Sequence, residues 1–212
     1  MGVGGTNYLM SVYVLVFVLL AMLQLRRFME LFPLLMDSVF RARGSSTLES
    51  SVNYSADRTH ISLTLIIPAV IMIYRYCLWD ASFLHGLGPG LRLAAVTGIF
   101  GIYVLLRLLM YLLFKPRRGG EFYQRSHRAC FTFFILLMLA VMFSVGVLYV
   151  FHAGDVAIRH TIYTETALFY SWFLLRRTQF LSLSCNHLQT FLYLCGLEIL
   201  PTGLLVATAV IL

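Results

Sequence analysis

The chain has 212 residues, 60% of them hydrophobic and only 12% charged, about half the charge of an ordinary soluble domain. Its formal net charge of +7 accompanies a mean hydropathy of +0.84, and the basic residues sit along the edges of apolar runs, not on one polar face, which argues against a nucleic-acid partner. The four cysteines, Cys77, Cys130, Cys185 and Cys195, form no C-x-x-C pair, so neither a thiol redox centre nor a zinc ribbon is signalled, and they read as small packing residues.

A membrane-crossing helix needs about 20 mostly apolar residues, and six runs approach that length: 8–25, 61–79, 91–114, 129–151, 156–175 and 188–212. The first has no basic leader and no small-residue cleavage site, so it reads as a retained helix. Arg26-Arg27 closes it. Phe28 to Phe40 follows, apolar but broken by Glu30, Pro33 and Asp37, which suits an interfacial amphipathic helix or a kinked extension of the first helix. Residues 41–60 are rich in Ser, Arg and acids and read as a flexible loop, making 26–60 one cytoplasmic segment. Run two holds Pro68, an expected kink, and Arg75. His85-Gly86-Leu87-Gly88-Pro89-Gly90 is a turn signal. Run three carries Arg107, with Gly98 and Gly101 available for close helix approach. Residues 115–128 form a basic loop, run four has no charge, and 152–155 is a tight turn. Run five holds Arg159, His160 and Glu165 and is closed by Arg176-Arg177, after which residues 178–187 lead to run six. The expected fold is all-α: a polytopic transmembrane bundle of about six spans, in a single membrane domain over residues 1–212, with one interfacial helix after the first span.

With the N-terminus outside, the inner connections hold Arg26, Arg27, Arg41, Arg43, Arg58, Lys115, Arg117, Arg118, Arg125, Arg128, Arg176 and Arg177, against Arg92 and Arg159 outside. That asymmetry is the positive-inside pattern. It implies two external termini and, in a bacterium, the inner membrane.

Four charged residues fall well inside expected spans: Arg75, Arg107, Glu165 and Glu198. A lone charge in hydrocarbon costs at least about 3 kcal/mol, so such groups pair or face a polar cavity. Two cations and two acids suggest Arg75–Glu165 and Arg107–Glu198 pairs, or one network of four. Tyr103 and Tyr111 share a face with Arg107, Thr161 and Trp172 with Glu165, and Cys195 and Thr202 with Glu198. Pro201 follows Glu198 closely and lacks an N–H, which in a helix leaves the Leu197 carbonyl without its usual donor. The histidines lie at span boundaries. His85, His152 and His160 share the outer side, but no metal-binding spacing accompanies them, so no metal site is expected. No nucleophile elbow or phosphate loop is present, and neither a cofactor nor a catalytic residue is assigned.

The segment F-L-Y-L-C-x-L-E-I-L-P, Phe191 to Pro201, resembles the C-terminal signature of an uncharacterised family of bacterial polytopic inner-membrane proteins, domain of unknown function family 4271. The resemblance implies that Tyr193, Leu194, Cys195, Leu197, Glu198 and Pro201 are family positions, and implies no activity. The first functional expectation is a non-catalytic scaffold or accessory subunit of an envelope complex, with the lipid bilayer and other membrane proteins as partners. The alternatives are a small transporter or proton-coupled permease using Glu198 and Arg107, and a membrane enzyme acting on a lipid or isoprenoid.

Overall fold

The computed structural model describes residues 3–40, 52–79, 81–113, 120–182 and 187–211. All regular structure among them is helical. In chain order the elements are α1 (Val3–Phe40), α2 (Val52–Arg75), a short 3-10 turn (Ser82–Leu84), α3 (Pro89–Leu113), α4 (Gly120–Val150), α5 (Asp155–Ser182), α6 (His187–Leu194), a π-helical turn (Cys195–Ile199) and α7 (Leu200–Ile211). Among the described residues four stretches are long and apolar enough to cross a membrane: Ser11–Pro33, Ala56–Arg75, Pro89–Leu113 and Cys130–Val150. They overlap the first four apolar runs, the first reaching past Arg26-Arg27 and the second beginning at Ala56, inside the segment expected as loop. Their outward side chains are apolar and open, as at Leu23, Leu113 and Val150. Such surfaces suit a lipid solvent and mark a membrane protein.

Several helices outrun the apolar stretches that announced them. Residues 28–40 continue α1 without a break, through Pro33. Leu31 and Leu35, one turn apart, are fully buried, while Met29, Phe32 and Met36 stay exposed; this second half of α1 is therefore two-sided. Residues 52–60 are helical, not loop, because α2 begins at Val52. Arg58, Ile61, Ser62 and Leu65 recur at helical spacing on its buried side, and that packing sustains the helix through polar sequence. Residues 41–51 lie outside the described part. α4 begins at Gly120, inside the stretch read as a basic loop, and α5 runs past Arg176-Arg177 to Ser182. The expected fifth and sixth runs fall on α5 and on the continuous helical run His187–Ile211.

Two helices end in the same way. At the end of α2, Leu78 N–H bonds to the Ile73 carbonyl and Cys77 N–H to that of Tyr74. At the end of α4, Ala153 N–H bonds to Leu148 and His152 N–H to Tyr149. Each is a Schellman cap, and each puts a non-glycine residue in the left-handed region, Cys77 at φ 48° and His152 at φ 52°.

The chain divides into two compact units, one drawn mainly from Val70–Ser126 and Leu174–Leu212, the other from Val12–Ala69 and His127–Phe173. In the second unit Arg27 Nη1 meets Asp57 Oδ1 at 3.1 Å, and Thr64 Oγ1 donates to Gln24 Oε1 at 3.1 Å. Arg58, buried, donates from Nη1 to Thr132 Oγ1 at 3.4 Å. The rings of Phe133 and Phe173 meet edge to face, 5.7 Å between centroids.

Candidate functional site

The first unit contains the most deeply buried acid among the described residues. Glu198 lies on the π-helical turn and is 2% exposed. Its Oε2 pairs with Nη2 of Arg107 from α3, and its Oε1 with Nη1 of Arg177 from α5. The Arg107 side chain is 24% exposed and that of Arg177 3%, so one guanidinium reaches the site from its edge and the other is enclosed with the acid. Opposite charges at this separation attract strongly where water is excluded, and each also supplies a charge-assisted hydrogen bond.

Local sequence explains how the three come together. Arg107 stands in the apolar second half of α3, which packs on the π-helical turn and on α7. One turn earlier, the Tyr103 hydroxyl shares a 3.3 Å hydrogen bond with Thr202 Oγ1. Further along α7 the Trp79 indole N–H donates to the Leu205 carbonyl at 3.1 Å. Thr202 and Leu205 lie three residues apart on one face of α7, and Glu198 stands on the wide turn just before them. This stretch therefore carries an ion pair, a hydroxyl pair and a backbone acceptor in succession.

The turn itself is wide. Leu200 N–H bonds to the Cys195 carbonyl, five residues back instead of four. Pro201, buried, comes next. The wide turn includes three of the residues to which the family resemblance points, Cys195, Leu197 and Glu198; Tyr193 and Leu194 precede it and Pro201 follows.

The other singled-out residues lie elsewhere. Arg75 is exposed at the end of α2, with its guanidinium over the Tyr76 ring, 5.7 Å from the centroid. Glu165, in the second unit, accepts a hydrogen bond at Oε1 from Ser144 Oγ, and its Oε2 is buried with no hydrogen-bond partner among the described residues. Thr161 bonds to its own helix, at the Ala157 carbonyl, and Trp172 is 41% exposed. Pro68 is buried within α2. Among the described residues, nothing lies within 4 Å of a Cβ built at Gly98 or Gly101. His85, His152 and His160 are exposed, and among the described residues no group of three or more His, Cys, Asp or Glu side chains is placed to hold a metal ion.

Three participants escape a reading by hydropathy. Arg177 looks like half of a boundary pair, Arg58 like part of a polar loop, and Ser144 like a minor polar residue in an uncharged run. For Arg177 a signal was present. Adjacent residues on a helix point about 100° apart, so Arg176 and Arg177 need not share one environment.

Comparison with known proteins brings one match. The model of a family described as a domain of unknown function (DUF4271) matches residues 9–208. No curated protein and no solved structure matches the chain.

Proposed function

We propose, for a chain that belongs to the DUF4271 family, a non-catalytic role as a scaffold or accessory subunit of a bacterial inner-membrane complex. The observation that carries this reading is the state of Glu198. Both of its oxygens are engaged by arginines from two different helices, so its charge is spent on holding helices together. Transport through Glu198 would require at least one of those contacts to be released. An enzyme on a lipid substrate would require a nucleophile or metal beside the acid, whereas both of its oxygens meet guanidiniums.

In this reading the chain crosses the inner membrane six times with both termini outside, α5 and the run from α6 to α7 supplying the last two crossings. The basic excess at the inner edges supports that orientation; even without Arg58 and Arg177, which are buried, the inner connections outweigh Arg92 and Arg159. The exposed Met29, Phe32 and Met36 on α1, beside Arg26 and Arg27, suit an anionic lipid surface or a partner helix at the inner boundary.

Affinity purification of the full chain from native membranes is the test. A partner in fixed stoichiometry is expected, and it should persist when Glu198→Gln is introduced in a form that still folds. Recovery of the chain alone, together with substrate flux in proteoliposomes that Glu198→Gln abolishes, would replace this reading with transport. A reporter fused after Leu212 should be active outside the cytoplasm.

A further inference from the structure

We propose that Pro201 is a positioning residue: it holds the Cys195–Ile199 turn open and thereby aims Glu198 at Arg107 and Arg177. The argument begins with the ring. In a regular α-helix a proline removes the hydrogen bond to the carbonyl four residues back and its ring collides with that same carbonyl, here that of Leu197. A turn of wider bore immediately before the proline moves this carbonyl away. The chain does so: Leu200 N–H reaches Cys195 instead of Gly196, and the next residue, which would continue the pattern, has no N–H to offer.

The geometric effect falls on Glu198. An extra residue in one turn offsets the faces before and after it by about 100°. Glu198 lies inside the turn, so its direction depends on that offset. Thr202 and Leu205, just beyond, meet Tyr103 and Trp79 and fix α7 independently of the acid. Closing the turn would therefore rotate Glu198 relative to an anchored α7. Burial agrees: Pro201 is fully enclosed, as Glu198 is, so the ring sits in the packed side of the helix and not on its open side.

Leu192 on α6 and Leu204 on α7 are 61% and 54% exposed and flank the turn. In a straight α-helix residues twelve apart lie about 120° apart around the axis, and one wide turn reduces this to about 20°. Spin labels introduced there as encoded unnatural amino acids, in the full chain in nanodiscs, should give a pair distance that lengthens by several ångströms in Pro201→Ala. The distance should stay unchanged in Glu198→Gln, which keeps the proline but weakens the arginine clamp. Reintroducing the proline in the Pro201→Ala variant, by Leu200→Pro, should not restore it, because the ring then meets a different carbonyl. An unchanged distance in Pro201→Ala overturns the proposal, and so does a change in Glu198→Gln with none in Pro201→Ala, which would make the arginines the cause of the turn. Should Pro201→Ala fail to fold, Pro201→Gly gives the same two readings.

Discussion

Removing Glu198 takes from both guanidiniums the acid they share, whereas removing one arginine leaves the acid with the other. Breaking a buried pair by deleting one member costs about 3–5 kcal/mol. Glu198→Ala should therefore be the most damaging single change at this site. Arg177→Ala should cost more than Arg107→Ala, since Arg177 is 3% exposed and Arg107 24% and water can stand in for the latter. Denaturant titration in detergent measures all three. The double variant Arg107→Ala with Glu198→Ala should recover part of the summed loss; strict additivity would mean that the two do not interact. Arg177→Lys should restore little, because a point charge on a flexible stem does not reproduce the flat guanidinium fork.

Helix ends offer a sharper test of backbone physics than helix middles. His152 is exposed and left-handed at the cap of α4, a conformation that costs an L-residue about 1–2 kcal/mol and glycine almost nothing. His152→Gly should raise the melting temperature, and His152→Val should lower it. A flat response in both would mean that the cap is not formed. Cys77 should answer less cleanly, because Arg92 Nη2 reaches its sulfur at 3.4 Å and glycine would lose that contact. These ends also show what the sequence makes legible. The apolar runs announced four helices long and apolar enough to cross a membrane, since hydropathy over about 20 residues is a strong, local signal. Where each helix stops was not legible: Arg58 and Arg177 read as polar edges, and the partners that meet them inside, Thr132 and Glu198, lie well along the chain. The cap at His152 lacks the glycine that normally announces it, and the wide turn before Pro201 leaves no compositional trace beyond the proline itself.

Among the described residues the charged groups Arg58, Arg177 and Glu198 are buried while many large apolar side chains face outward, the reverse of the usual pattern in a soluble protein. The solvent-facing Leu23, Phe143 and Phe151 should make the molecule aggregate when detergent is withdrawn, which sedimentation would reveal; a chain that stayed folded in plain buffer would overturn the membrane assignment. The length of α1 has a further consequence. Thirty-eight residues at 1.5 Å each reach about 57 Å, against a hydrocarbon layer of about 30 Å. A rod that long either leans steeply or stands proud of the bilayer by several turns. Arg26 and Arg27 then work as a waterline, and a thicker bilayer would draw them under. The protein should accordingly partition toward thin membranes in a mixed-lipid vesicle, sorted by the draught of a single helix.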